Sequence, residues 1–126
     1  MSNASFLNWY AGIDSPGMER QFDRVASLCR YPVPSHDPAS DRFDAKRYWR
    51  GPTWAIMNTL IGLGMAERGL TRRAEALRKA TQALIAEHGF AEYFDPITGE
   101  AAGGGAFTWT AAVWLAWAST RHDVKE

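Results

Sequence analysis

Two stretches of this sequence hold residues that could do chemistry. Tyr48-Trp49-Arg50-Gly51-Pro52-Thr53-Trp54 compresses three aromatics and an arginine into a loop that enters a helix at Pro52. Sugar rings present apolar C–H faces that stack on aromatic planes, and a guanidinium fork binds hydroxyls or a carboxylate. The segment therefore suits a sugar pocket; it equally suits two tryptophans closing the top of a core with Arg50 paired to a neighbouring acid. The second stretch, Gly89 to Gly99, sets Glu92 between apolar neighbours just past a helix end. A carboxyl so placed suits general-base work, and a plain loop salt bridge would use the same residue.

The other polar residues have simpler readings. Asp95-Pro96-Ile97-Thr98-Gly99 is turn chemistry, with the Asp95 carboxylate taking backbone N–H bonds. Glu100 reads as solvated, and His88 as a last-turn residue complementing a helix dipole. His36 and His122 have no companions at ligand spacing, so the sequence proposes no metal site and no cofactor. Gly103-Gly104-Gly105 lacks the preceding strand and following lysine of a phosphate loop. Its glycines instead let the chain pass close to a ligand or another backbone. Cys29, the single cysteine, reads as a small packed hydrophobe.

These residues need elements to position them. Asp14-Ser15-Pro16 signals a helix start, and a helix from about Pro16 to Arg30 follows with Phe22, Val25, Ala26, Leu28 and Cys29 on its apolar face. Tyr31-Pro32-Val33-Pro34 stops it. Ser35 to Lys46 is polar and turn-rich, a long surface loop of a length that usually has a function and could act as a lid. A second helix runs from near Pro52-Thr53 to Arg68 and stops at Gly69. It keeps Gly62 and Gly64 at about 1 kcal/mol each relative to alanine, which predicts close approach by a neighbouring backbone. Thr71 caps a third helix that ends at Gly89, with Ala74, Leu77, Thr81, Leu84, Ile85 and His88 at three- and four-residue steps. The short Gly69-Leu70 connection makes the pair an antiparallel αα-hairpin. A last helix, about Trp109 to Ser119, is apolar almost all round and so should be covered on several sides. Nothing alternates long enough to argue a sheet, and no long-period repeat is present. The class is all-α, one helical unit over residues 1–126. Met1-Ser2-Asn3-Ala4 has the small, polar character of a vector-derived or disordered start and is left out of the fold.

Totals narrow the function further. Lys plus Arg and Asp plus Glu are balanced at 14 each, which leaves no basic excess to neutralise phosphates, so nucleic acid is not an expected partner. No apolar run approaches the ~20 residues of a membrane helix, and no signal-peptide pattern opens the chain, so the expectation is a cytoplasmic protein away from membranes. Six Trp, six Phe and four Tyr are the informative excess, because such rings either fill a core or line a pocket.

Together, Tyr48 to Trp54, Gly89 to Gly99 and Phe107-Thr108-Trp109-Thr110-Ala111-Ala112 resemble, in order and spacing, the C-terminal part of glycoside hydrolase family 63. The bacterial mannosylglycerate and glucosylglycerate hydrolases look closest, Asn8-Trp9-Tyr10-Ala11-Gly12-Ile13 resembles the segment preceding these motifs there, and trehalases and processing α-glucosidases share a looser version. The likeness extends from about Ser5 to Thr120.

The resemblance implies the C-terminal portion of an (α/α)₆ toroid built of antiparallel helical hairpins, and a small-molecule α-glycoside as substrate. It also implies inversion by two carboxylates ~6.5–9.5 Å apart, one protonating the leaving oxygen and one activating water. Glu92 falls on the general base; Tyr48, Trp49 and Trp54 fall on pocket aromatics, and Arg50 on a pocket arginine expected to orient Glu92. The family's general acid is an aspartate on an earlier hairpin with no counterpart here, and Asp14 reads as a helix cap rather than a substitute. The expectation is thus a chain inactive by itself, with inner-layer surface that promotes self-association or takes up a complementing N-terminal segment. The competing class is a non-catalytic helical carbohydrate-binding or assembly module that keeps the aromatics without the chemistry.

Overall fold

The computed structural model describes residues 1–120; His122 lies outside the described residues. A 3₁₀ turn (Asn3–Phe6) leads into α1 (Leu7–Tyr10), followed by α2 (Met18–Ser27), α3 (Ala55–Glu67) and α4 (Thr71–His88). Two short strands, β1 (Tyr93–Phe94) and β2 (Ala101–Ala102), precede α5 (Thr108–Val113), which continues as a π-helical turn over Trp114–Ala118.

The hairpin of α3 and α4 forms as the glycine signals require. Gly69 takes φ 77°, its N–H donates to the Ala66 carbonyl, and the Leu70 N–H donates to the Met65 carbonyl at 2.8 Å. That paired closure satisfies carbonyls a helix end would otherwise leave open. Gly89 ends α4 at φ 84°. Thr71, expected to cap α4, is instead its first residue, and Leu70 holds the cap position without a side-chain bond. Asp14 does not cap α2 either. Gly17, at φ 78°, turns the chain into that helix, while the Asp14 carboxylate is taken by the guanidinium of Arg68. A bidentate charged partner outcompetes a single backbone N–H.

Both glycines inside α3 meet close neighbours. A Cβ at Gly64 would stand 2.5 Å from the Trp9 carbonyl carbon, so the backbone of α1 lies directly on the helix; at Gly62 the neighbour is the Trp117 ring, not a backbone. Phe6, Trp9 and Phe22 pack there as a buried trio with ring centroids 5.4–5.8 Å apart. The core continues through Val25, Ile61, Met65, Leu77 and Leu84 to Val33, Phe94 and Val113. Asn58, fully buried, stays satisfied by accepting from the Val33 N–H at 3.0 Å and donating to the Pro32 carbonyl at 2.7 Å and to Thr81 Oγ1 at 3.0 Å. It bolts the connecting loop onto both hairpin helices.

Several expectations are corrected here. The chain is mostly helical but not wholly: β1 and β2 pair antiparallel, Tyr93 opposite Ala102 and Phe94 opposite Ala101. Two-residue strands are too short to show alternation in a sequence. Residues 1–4 take part in the fold, since Asn3 is buried and the Met1 carbonyl accepts from the Asp37 N–H at 2.9 Å. Among the described residues the last helix is covered on one side only. Val113, Trp117 and Ala118 are buried, whereas Leu115 is 76% and Trp109 56% exposed. The loop from Ser35 to Lys46 is fastened near both ends, through Ser35 to Pro52 and Gly51 and through the Asp44 N–H to the Arg50 carbonyl. Among the described residues no helix is long and apolar enough to cross a membrane, and no three His, Cys, Asp or Glu side chains gather as a metal site.

Candidate active site

One pair of backbone bonds assembles the site. Thr53, at the approach to α3, donates its N–H to the Phe94 carbonyl at 2.8 Å and accepts the Phe94 N–H at 2.9 Å. Its hydroxyl donates to the Tyr31 carbonyl at 2.8 Å. This bridge lays the Tyr48–Trp54 loop against the Glu92–Phe94 segment, joining the two chemistry-bearing stretches.

The rings then stack outward from the core. Trp54, 2% exposed, lies parallel to Trp49 at 4.2 Å on an interplanar angle of 7°, and against Tyr93 at 5.1 Å. Trp49 is 48% exposed. Tyr48 meets Trp54, Tyr93 and Trp49 edge-on at 4.8, 5.4 and 5.9 Å. Buried tryptophan beneath half-open tryptophan makes a platform that a flat apolar face can extend.

Glu92 is half-buried beside this platform. The Tyr48 hydroxyl donates to Glu92 Oε1 at 3.1 Å, and the Glu92 N–H donates to the Gly104 carbonyl at 3.1 Å. The carboxylate holds the Tyr48 phenol above its ordinary range, chiefly through that hydrogen bond. Among the described residues no donor reaches Glu92 Oε2. The carboxylate thus accepts on one oxygen from Tyr48.

The predicted residues do not all converge. Tyr48, Trp49, Trp54 and Glu92 come together, but Arg50 does not orient Glu92: its Nη2 donates to the Arg42 carbonyl at 3.2 Å, and its side chain is exposed. The tight turn before it accounts for this, with Arg50 N–H bonded to the Arg47 carbonyl at 2.7 Å. Tyr93, which sequence reasoning did not single out, joins the platform; its place directly after Glu92 was the available signal. Asp95 performs its turn, accepting the Ile97 and Thr98 N–H groups on Oδ1 at 2.8 and 3.1 Å. Glu100 is ion-paired with Lys46. His88 lies edge-on to Tyr31 at 5.9 Å. Burial pushes the Cys29 thiol up to about 12, which makes it inert as a nucleophile.

Comparison with known proteins gives this arrangement a family context. The model of the mannosylglycerate hydrolase MGH1-like glycoside hydrolase domain matches residues 1–110. Mannosylglycerate hydrolase MGH1 of Selaginella moellendorffii is 38% identical over 120 residues, covering 92% of this chain and 25% of the relative. Glucosylglycerate hydrolase of Mycolicibacterium hassiacum is 40% identical over 85 residues, covering 68% of this chain and 19% of the relative. The crystal structure of the GH63 mannosylglycerate hydrolase from Thermus thermophilus in complex with glucose matches with a TM-score of 0.87 at 38% identity, covering 96% of this chain and 31% of that one. The chain therefore spans about a quarter of the length of the first of these relatives.

Proposed function

The chain belongs to the mannosylglycerate hydrolase MGH1-like glycoside hydrolase family, and from that premise we propose that it supplies the general base and sugar-stacking aromatics of an inverting glycosidase. Its substrates are small α-glycosides of the glucosylglycerate, mannosylglycerate or disaccharide class. The observation that carries this reading is Glu92, held by Tyr48 at the edge of the Trp49–Trp54–Tyr93 platform.

In the reaction, Glu92 takes a proton from a water molecule whose oxygen bonds to the anomeric carbon. The glycosidic bond breaks on the opposite face, and the leaving oxygen is protonated by an acid partner. That acid comes from outside this sequence, on helices that complete an (α/α)₆ toroid. Within the described site the remaining carboxylates are engaged, Asp95 in its turn and Glu100 with Lys46. The complementing helices cover the apolar groove lined by Ile56, Thr59, Trp109, Ala112, Val113 and Ala116. In the isolated chain that face drives self-association; a monodisperse monomer in light scattering would remove this part of the reading.

Titration of tryptophan fluorescence with mannosylglycerate and glucosylglycerate tests binding. A saturable response that Trp49→Ala abolishes is expected, and silence with both ligands sinks the reading. The chain alone should release no sugar, because removing one essential partner costs orders of magnitude in rate. Mixed with the complementary portion of a longer relative, it should hydrolyse substrate with inversion, and Glu92→Gln should abolish that. No turnover in the mixture, with the fluorescence response to glycosides retained, favours a non-catalytic binding module instead.

A further inference from the structure

The surroundings of Glu92 hold more than a hydrogen bond, and their role, which rests on the glycosidase reading, deepens it. Among the described residues Tyr48 is the one non-glycine with a left-handed backbone, at φ 38°. An aromatic residue does not rest there unless its surroundings over-determine it, and such outliers concentrate at working sites. Here its carbonyl accepts from Trp54 Nε1 at 3.0 Å and from Ser35 Oγ at 3.5 Å, while its ring is gripped edge-on by three neighbouring rings. The result of that constraint is a hydroxyl delivered to Glu92 Oε1.

On the other side of the carboxylate lies Gly103, at φ 73°. A Cβ at that position would stand 2.5 Å from Glu92 Oε2 and 2.6 Å from Glu92 Cβ, closer than any real contact of this kind. Gly104 and Gly105, the other two glycines of the run, would meet nothing within 4 Å. Only the first of the three is obliged by the carboxylate.

We propose that Tyr48 and Gly103 are positioning residues for Glu92: the phenol commits Oε1 to a hydrogen bond, and the bare Cα of Gly103 leaves Oε2 the room to receive the proton of the attacking water. The ring of Tyr48 alone would serve packing, and Phe would then replace it without consequence. The geometry assigns the work to its hydroxyl.

The test uses the whole chain, labelled with ¹³C at tyrosine Cζ, and follows the Tyr48 phenol by NMR. In the unmodified chain Tyr48 should titrate above the ordinary phenol value of about 10. Glu92→Gln should return it to that value. Gly103→Ala should do the same, because the displaced carboxylate no longer meets the hydroxyl, whereas Gly104→Ala should leave it raised. Gly69→Ala, a left-handed position with nothing within 4 Å, controls for backbone strain alone and should also leave it raised. An ordinary titration of Tyr48 in the unmodified chain, or a raised one in Gly103→Ala, overturns the proposal.

Where Gly103→Ala does not fold, Tyr48→Phe decides. With glutamate labelled at Cδ, the Glu92 resonance should pass from one ordered side-chain state to rotamer averaging, and an unchanged resonance counts against the assignment. These readouts need no glycoside. A chain that bound no sugar would sink the glycosidase reading while leaving the placement of Glu92 measurable.

Discussion

Two of the aromatic clusters among the described residues are built from similar residues, and they do different work. Phe6, Trp9 and Phe22 are all buried, with Trp9 3% exposed, and their neighbours are the bare backbone of Gly64 and aliphatic side chains. Tyr48, Trp49, Trp54 and Tyr93 climb from a buried ring to half-open ones, and they end on a phenol bonded to a carboxylate. The first cluster contributes burial and little else. The second leaves apolar surface in water, keeps a residue in a strained backbone conformation, and sets a carboxylate beside it. Ring content alone does not mark a site; a gradient of exposure ending on a polar group does.

Substitutions can break that contrast or sharpen it. Trp9→Ala should show the largest effect, a loss of about 3–5 kcal/mol in chemical denaturation, because the cavity lies where α1 crosses α3. Gly64→Ala should cost about 1–3 kcal/mol by pushing the Trp9–Tyr10 backbone away, measured the same way. Trp49→Ala should cost about 0.5–1.5 kcal/mol, the worth of an aromatic pair, while abolishing the fluorescence response to glycosides. A Trp49 variant as destabilised as the Trp9 variant would erase the distinction between the clusters.

The smallest effect is a pH dependence. The Glu92 carboxylate raises the folded-state titration of Tyr48 above its unfolded value. The resulting contribution is fully present below about pH 10 and is lost as pH rises through the folded value. Denaturation midpoints measured from pH 8 upward should fall more steeply in the unmodified chain than in Tyr48→Phe. Equal slopes would show that the hydroxyl does not discriminate the two states.

The hairpin of α3 and α4 was legible because its signals are local. Gly69 and Gly89 stop helices within a few residues of the carbonyls they close, and Asp95 bonds N–H groups two and three residues on. The helix starts were less so. Asp14 has the chemistry of a cap, yet a distant Arg68 takes it, and no spacing rule announces a partner 54 residues away. The pairing of β1 with β2 is too short to leave a pattern.

For the site, the sequence by itself determined the inventory: a glutamate past a helix end, aromatics before another helix, glycines with room for a close neighbour, and an order of motifs that resembles one family. Tertiary structure decided who meets whom. The Thr53–Phe94 bridge lays Tyr48 onto Glu92 across 44 residues, Gly103 packs against the same carboxylate, and a tight turn aims Arg50 at the Arg42 carbonyl instead. Local propensity acts through bonds a turn or so apart, whereas a contact between distant segments depends on the whole path of the chain between them.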